Sequence, residues 1–297
     1  MTETTTTLSY VLATRNKLPY LKVTLAELIA HKKNDEEIVV VDGASTDGSV
    51  AFLQQLFSEG KIQQFISEPD KGEAHADNKA IMQARGTLIK IVTDDDAFHF
   101  PSIEQCKDFM LAHPDVDILS TDGMKRRKST QYPFSPMLYQ SRFEARLRRN
   151  TPFASCGLGL MLRKSSLPII GLLDTNFARV DAEYTLRVTA AKAKMAWFAR
   201  ESYAHIRNAG STSVKQERRI TEELERLETL YFGTSTYLPL KQKIRALVRR
   251  YKERLTPTTT QPSVDPEALE SEWKELFDTS LLWLERNAKE NPGEFLF

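Results

Sequence analysis

Short apolar runs rich in β-branched residues alternate with amphipathic helical patterns from residue 8 to about residue 121. This alternation restricts the fold strongly, because strands separated by helices pair into a mostly parallel sheet with helices on its faces. The predicted strands are residues 8–13, 37–42, 62–68, 88–93 and 116–121, and the predicted helices are residues 20–31, 49–59, 75–84 and 102–113. We therefore expect an α/β fold built on a mostly parallel central sheet.

Polar or acidic turns follow four of these predicted strands, at residues 14–17, 42–47, 68–72 and 94–96. In an open α/β sheet, ligands bind in the crevice beyond the carboxyl ends of the strands. The four turns are therefore expected to meet in one crevice.

The strongest candidate for a binding site is an apolar run that ends directly in Asp94, Asp95 and Asp96. Three adjacent carboxylates repel one another unless a cation neutralises them. Alternate residues of a strand end point the same way, and hard divalent cations that also hold phosphate are bound by one or two carboxylates. Asp94 and Asp96 form such a pair. A solvated acidic turn before the next helix is the alternative interpretation.

A second acidic turn starts at Asp42, at the end of another predicted strand. Its carboxylate can accept a hydrogen bond from a nucleotide base or a ribose hydroxyl. For Asp47 and Gly48 we favour a simpler role, because both residue types supply the geometry of tight turns.

Composition excludes several classes of protein. Lys and Arg total 41 while Asp and Glu total 40, so no overall charge attracts the chain to nucleic acid. Cys106 and Cys156 match no metal-ligand spacing, which favours a reducing compartment. The start of the chain has no signal-peptide pattern and no stretch is apolar enough to span a bilayer. We therefore expect a cytoplasmic protein.

The turn at residues 14–17 argues against two other nucleotide-binding classes. It contains no glycine, whereas a dinucleotide-dependent oxidoreductase has GxGxxG after its first strand. A sugar-nucleotide pyrophosphorylase also needs a glycine-rich loop there, so we rank that class low.

The motifs together resemble family 2 glycosyltransferases, which have the GT-A fold and invert the configuration of the transferred sugar. The matching segments, in order, are residues 14–16, 41–48, 67–72 with Asn78 and Lys79, and the DxD-like residues 94–96. The resemblance covers the chain to about residue 213. It implies a hexosyl- or N-acetylhexosaminyltransferase that uses a nucleotide-diphosphate sugar, with UDP as the expected nucleotide, and Mn²⁺ or Mg²⁺.

Carried over residue by residue, the resemblance implies the following roles. The nucleotide-binding residues are Thr14, Asn16, Asp42, Asp70, Lys71, Asp94 and Asp95. The metal ligands are Asp96 and Asp94. The catalytic base is Asp181, with Glu183 in reserve, and a late loop closing on the diphosphate carries His205 and Arg207. For Asp181, a helix N-terminal charge favoured by the macrodipole is the alternative.

The chain also departs from the family pattern. His75 stands where a carboxylate is expected and Ala80 where a glycine is expected. The identity of the sugar therefore cannot be inherited from the family. The chain has no QxxRW motif, which favours addition of a single sugar over processive synthesis.

We divide the chain into a GT-A domain at residues 1–213 and a helical C-terminal extension at residues 214–297. The donor half of the domain is about residues 1–124 and the acceptor half is about residues 125–213. We interpret residues 125–150, with their prolines and basic residues, as a loop or lid. The Thr- and Pro-rich residues 256–266 are a predicted linker.

For each of two predicted helices in the extension, the sequence is compatible with two different packing partners. The basic helix after Pro239 suits either the anionic headgroups of the inner membrane or a solvated surface. The final amphipathic helix, with Trp273 and Phe277, suits either the domain itself or another subunit of a homo-oligomer.

The expected function is metal-dependent, inverting transfer of a sugar to a hydroxyl of a glycan or lipid-linked acceptor in bacterial surface polysaccharide synthesis. A non-catalytic sugar-nucleotide-binding or scaffold protein of the same fold is the alternative.

Overall fold

A computed structural model describes residues 6–126, 133–137, 139–208, 217–232 and 266–297. The strands are β1 (Leu8–Thr14), β2 (Glu36–Asp42), β3 (Gln64–Ser67), β4 (Leu88–Val92), β5 (Ala97–Phe98), β6 (Ile118–Arg126), β7 (Phe134–Met137), β8 (Met161–Arg163), β9 (Met195–Ile206) and β10 (Phe295–Leu296). The helices are α1 (Leu18–His31), α2 (Ser49–Ser58), α3 (Glu73–Gln83), α4 (Phe100–Ala112), α5 (Gln140–Arg149), α6 (Leu167–Ile170), α7 (Val180–Ala190), α8 (Glu217–Phe232) and α9 (Pro266–Glu290).

One twisted sheet runs through the molecule in the order β10-β9-β6-β8-β4-β1-β2-β3. Strands β3, β2, β1 and β4 are parallel, as expected from the strand and helix alternation. Strand β8 runs antiparallel between β4 and β6, and β6 pairs in parallel with β9. The parallel arrangement predicted from sequence therefore holds for the donor half, while the complete sheet is mixed.

Helices cover both faces of the sheet, and alternate strand residues enter two separate cores. Leu8, Tyr10 and Leu12 pack on one face with residues of α1 and α4, whereas Val11 packs on the other face with α3. Every residue of β2 is buried. Burial on both faces explains why the inner strands read as nearly continuous apolar runs instead of alternating ones.

The interpretation of residues 125–150 as an irregular loop is wrong for the part of this segment that the structure describes. Strand β6 continues to Arg126, β7 pairs with it, and α5 follows. Pro136 is tolerated because β7 is a short strand attached to the side of the main sheet, where a missing N–H breaks no inner ladder.

The final helix packs on the domain. Trp273, Phe277 and Leu284 of α9 are buried against the end of the sheet, and the Trp273 ring meets Tyr20 of α1 edge-on at 4.6 Å between centroids. Strand β10 then pairs with the edge of β9. The predicted basic helix after Pro239 and nearly all of the predicted linker lie outside the described residues. The described helices include none with the length and apolarity needed to cross a membrane.

Candidate active site

The first and fourth polar turns meet at Asp94. The Thr14 hydroxyl donates to Oδ2 of Asp94 at 2.7 Å, and the Thr24 hydroxyl of α1 donates to its backbone oxygen at 3.1 Å. Lys17 forms an ion pair with Asp95 in the same place. The expected convergence of these two turns is confirmed. It follows from the parallel pairing of β1 with β4, which brings their carboxyl ends to one edge.

The second turn joins them through Asn16 and Asp47. The Thr46 N–H donates to Oδ1 of Asn16 at 2.8 Å, and Asn16 itself has a positive φ of 52°. Asp47 accepts the N–H of Leu18 at 2.9 Å and the Ser49 hydroxyl at 2.7 Å. The interpretation of Asp47 as a turn-forming residue is confirmed.

Asp42 is completely buried, and only one of its two carboxylate oxygens has hydrogen-bond partners among the described residues. Its Oδ2 accepts the Ser45 N–H at 2.9 Å and the Ser67 hydroxyl at 2.8 Å. Its Oδ1 has no hydrogen-bond partner among the described residues. A buried acceptor without a donor is unfavourable, so Asp42 retains capacity for a ligand N–H or O–H.

The third turn places Asp70 against Gly43. A Cβ atom at Gly43 would lie 2.1 Å from Oδ2 of Asp70, so only glycine allows this approach without a shift. The Lys71 N–H donates to Nδ1 of His75 at 3.2 Å. His75, which stands where the family has a carboxylate, therefore closes the turn before α3.

Asp94, Asp95 and Asp96 are all buried, with exposed fractions of 7%, 8% and 3%. Burial and the neighbouring Asp95 raise the pKa of Asp94 to about 8, although Lys17 and Thr14 act in the opposite direction. Burial favours a lower pKa for Lys17, but Asp94 and Asp95 outweigh it and raise that pKa. Lys17 thus pairs with a cluster of three buried carboxyl groups, in which burial favours the protonated form of Asp94.

Asp96 is tied to the far end of β9. Its Oδ1 accepts the Ile206 N–H at 2.8 Å and lies 3.1 Å from Nδ1 of His205, while Oδ2 accepts the Thr93 hydroxyl at 2.8 Å. Asp96 is the main cause of a raised pKa for His205. His205 belongs to the end of β9 and not to the predicted loop, and Arg207 after it is exposed.

The types of side chain at this point fit a hard divalent cation. Carboxylate oxygens and one imidazole nitrogen are ligands for Mn²⁺, and Mg²⁺ also takes carboxylates. No group of three or more metal-ligating side chains is assembled among the residues that the structure describes. Such cations are often held by one or two carboxylates together with substrate phosphates, so Asp94, Asp96 and His205 are compatible with this mode.

Asp181 and Glu183 differ sharply in their surroundings. Glu183 is buried and forms an ion pair with Arg187 at 2.8 Å, and the Tyr231 hydroxyl donates to it at 3.3 Å. Asp181 is half-buried in the first turn of α7 and accepts the N–H groups of Ala182 at 2.7 Å and Gly157 at 3.2 Å. The carboxylate of Glu183 is therefore occupied by structural contacts with Arg187 and Tyr231, whereas that of Asp181 remains partly accessible.

Cys156 lies near two of the candidate functional residues. The residue is half-buried, and desolvation of its thiol is the main cause of a raised pKa of about 12, to which Asp181 and Asp96 both add. The candidate base and the candidate metal ligand are therefore both close enough to this thiol to disfavour its ionisation.

Sequence reasoning assigned no role to several residues of this crevice. Lys17 neutralises part of the aspartate cluster, Asn208 donates to Asp95 at 2.8 Å, and Asp77 lies near Asp94 and Asp70. Lys17 follows the segment 14–16 and Asp77 precedes Asn78, so their positions next to residues of the family resemblance were the available signal. Asn208 had none, because its contact spans 113 residues.

The family model Glycosyl transferase family 2 matches residues 9–167, more than half of the chain. The chain belongs to glycosyltransferase family 2. A curated relative is the putative teichuronic acid biosynthesis glycosyltransferase TuaG of Bacillus subtilis, 28% identical over 104 residues. The match covers 35% of this chain and 41% of TuaG, so it spans about two fifths of that relative's length.

Solved structures of similar fold match a larger share of this glycosyltransferase than TuaG does. S. aureus TarS 1–349 in complex with UDP-GlcNAc matches with a TM-score of 0.55 at 17% identity, covering 76% of this chain and 65% of TarS 1–349. The mannosyltransferase PcManGT of Pyrobaculum calidifontis, in complex with GDP-Man and Mn²⁺, matches with a TM-score of 0.56 at 16% identity. This match covers 96% of this chain and 86% of PcManGT. These similarities confirm the GT-A-like fold.

Proposed function

We propose that this protein is a metal-dependent, inverting glycosyltransferase that uses a nucleotide-diphosphate sugar as its donor. The observation that carries the proposal is the buried aspartate cluster 94–96, which Thr14 and Lys17 contact from the first turn and Ile206 contacts from the end of β9. A fold needs no such concentration of buried carboxylates for its stability, since unbalanced buried charge is unfavourable.

The nucleotide is proposed to bind along the first three turns. Asp42 offers an unused buried oxygen to a base N–H, while Thr14 and Asn16 hold the surrounding turns in place. Asp70, Lys71, Asp94 and Asp95 complete the proposed nucleotide site. The structure of TarS with UDP-GlcNAc supports a UDP-sugar, and that of PcManGT with GDP-Man makes GDP the nucleotide to test beside it.

Mn²⁺ or Mg²⁺, held by Asp94 and Asp96 with His205 nearby, would neutralise charge on the diphosphate. Lys17 supplies a permanent positive charge beside Asp95. Thr93 and the Ile206 N–H fix the orientation of the Asp96 carboxylate through both of its oxygens. Arg207 is proposed to reach the diphosphate with His205.

Asp181 is the proposed general base. Backbone N–H groups of Gly157 and Ala182 orient its carboxylate, and its partial exposure lets an acceptor hydroxyl reach it. Asp181 takes the hydroxyl proton as the acceptor oxygen bonds to the anomeric carbon and the bond from that carbon to the diphosphate oxygen breaks. This single displacement inverts the anomeric configuration.

The acceptor is proposed to be a hydroxyl of a glycan or lipid-linked glycan used in bacterial surface polysaccharide synthesis. The similarity to TuaG, a putative teichuronic acid biosynthesis enzyme, supports this class. The division of the chain at residue 213 stays a prediction, as do contact with the inner membrane and self-association. A cytoplasmic location is proposed with them.

The test is nucleotide binding followed by turnover. We expect one of UDP, GDP, CDP and dTDP to stabilise the wild-type protein in a Mn²⁺- or Mg²⁺-dependent way, and Asp96→Ala to lose that dependence while remaining folded. Absence of binding to all four nucleotides would contradict the proposal. Nucleotide binding without transfer or donor hydrolysis would instead favour a non-catalytic binding or scaffold role.

A further inference from the structure

The polar side chains in the first half of α3 are satisfied, with one exception. His75 accepts the Lys71 N–H, and Lys79 forms an ion pair with Glu68 at 2.7 Å. Asn78 exchanges two hydrogen bonds with the backbone of Leu173, at 2.8 and 2.9 Å. Asp77 makes no hydrogen bond or ion pair with any described residue, although only 7% of it is exposed.

The surroundings of Asp77 make this isolation unfavourable. Burial raises its pKa well above the usual value, and the nearby carboxyl groups of Glu73, Asp94 and Asp70 raise it further. A buried carboxyl group without a donor costs stability, and here like charges surround it. A group that weakens the fold and lies in a crevice calls for a ligand as its explanation.

Two observations relate Asp77 to the two halves of the crevice. On one side it approaches Asp94, where the donor diphosphate is proposed to bind. On the other side, its neighbour Asn78 holds Leu173, in the segment that leads from α6 to the helix bearing Asp181. In the proposed reaction the transferred sugar occupies this interval, because its anomeric carbon is bonded to the diphosphate and attacked by the hydroxyl at Asp181.

We propose that Asp77 binds the transferred sugar of the donor by accepting hydrogen bonds from its hydroxyl groups. This inference rests on the proposed function and adds the chemical class of the sugar. Hydroxyl donors would satisfy the isolated carboxyl group, whereas a sugar carrying a carboxylate would add a further acidic group to those of Asp77, Asp70 and Asp94 and bring no donor to satisfy them. The donor sugar is therefore an uncharged hexose or N-acetylhexosamine, and hexuronic acids are excluded.

The experiment separates binding of the nucleotide from binding of the sugar. Wild type, Asp77→Ala and Asp77→Asn are titrated by calorimetry in Mn²⁺ with UDP, UDP-glucose, UDP-N-acetylglucosamine, UDP-glucuronic acid, GDP and GDP-mannose. For Asp77→Ala we expect affinity for the free nucleotide to stay within about twofold. Affinity for the tightest nucleotide sugar should fall about 10- to 100-fold, as expected for lost hydrogen bonds to a buried carboxyl group. Asp77→Asn should lose less and should accept UDP-glucuronic acid better than wild type does.

Two controls distinguish sugar binding from a structural role. Asp77→Asn removes an unpaired acidic group of the same shape, so its Tm should equal or exceed that of wild type; a structural aspartate would give a lower Tm. Glu73→Gln removes a charge from the same cluster at an exposed position. It should leave the ratio of nucleotide-sugar affinity to nucleotide affinity unchanged.

The outcomes separate this inference from the proposed function. If wild type binds no nucleotide, both fail. If nucleotides bind but Asp77→Ala weakens UDP and UDP-sugar equally, or weakens neither, the assignment of Asp77 is overturned and the proposed function stands. Equal wild-type affinity for UDP-glucuronic acid and UDP-glucose would overturn the exclusion of hexuronic acids.

Discussion

The Nδ1 atom of His205 lies 3.1 Å from Oδ1 of Asp96, although the two residues are 109 positions apart in the sequence. Pairing of β5 with β9 creates this contact, since Ala97 is opposite Ala204. The residues just before Ala97 and just after Ala204 are thereby brought together. An imidazole and a carboxylate in contact at the edge of a charged crevice are the elements from which a divalent metal site is built.

The first prediction tests that pair. His205→Ala and His205→Asn should both weaken Mn²⁺-dependent nucleotide binding about 10- to 100-fold, because each removes the imidazole ligand or its support. Calorimetric titration of the nucleotide with and without MnCl₂ measures the effect. His113→Asn, at the end of α4 and away from the crevice, is the matched control. An unchanged metal dependence in both His205 variants would remove His205 from the metal site.

The second prediction separates Asp181 from Glu183. Asp181→Asn should reduce the transfer rate at least about 100-fold with little change in stability, because it removes a general base that forms no ion pair with any residue the structure describes. Glu183→Gln should lower the free energy of unfolding by about 3 kcal/mol, because Arg187 loses the buried partner that Glu183 provides. Transfer assays and urea denaturation of both variants provide the measurements. Full activity of Asp181→Asn would show that another group is the base.

The third prediction concerns Asp122, which is buried in β6. Burial raises the pKa of Asp122 to about 6. The Tyr139 N–H, which donates to Asp122 at 3.0 Å, acts in the opposite direction and favours a lower pKa. Because this pKa is raised in the folded state, the favourable contribution of Asp122 to the free energy of unfolding is complete below about pH 4. It is lost as pH rises through about 6. The free energy of unfolding should therefore include a loss of about 1 kcal/mol from this residue between pH 5 and pH 7. Asp122→Asn should remove that component in urea denaturation at the two pH values, and an unaltered pH dependence would contradict the assignment.

The fourth prediction tests the attachment of α9 to the domain. Trp273 is 2% exposed and packs on Tyr20, so Trp273→Ala should cost about 3–5 kcal/mol of unfolding free energy. Trp273→Phe should cost less, because the indole N–H has no acceptor among the described residues. Leu282→Ala, on the same helix but 64% exposed, is the matched control and should change stability by less than about 0.5 kcal/mol. Similar stability of Trp273→Ala and Leu282→Ala would mean that α9 contributes little to the fold.

Several parts of the crevice were predictable from sequence. The strands ending at Thr14, Asp42 and Val92 could be placed, because apolar runs and polar turns report structure that forms over a few residues. The rule that the carboxyl ends of parallel strands share one edge then predicted the meeting of their turns. The resemblance to family 2 glycosyltransferases named the residue types to examine there.

Other features depended on contacts between distant segments. The insertion of β8 antiparallel between β4 and β6 has no local signature, because a three-residue strand shows no periodicity. The segment around Pro136 looked irregular in sequence, but a partner strand made it regular.

Sequence alone determined where the strands and helices of the donor half lie along the chain, the acidic turns and the position of Asp181 at the start of a helix, since short-range periodicity and turn chemistry specify these. Only the tertiary structure decided that Glu183 is held by Arg187, that His205 meets Asp96, and that Asp77 has no hydrogen-bond or ion-pair partner among the described residues. The physical reason is that charge and hydrogen-bonding capacity belong to a residue type, whereas burial and the choice of partner arise when distant segments pack together.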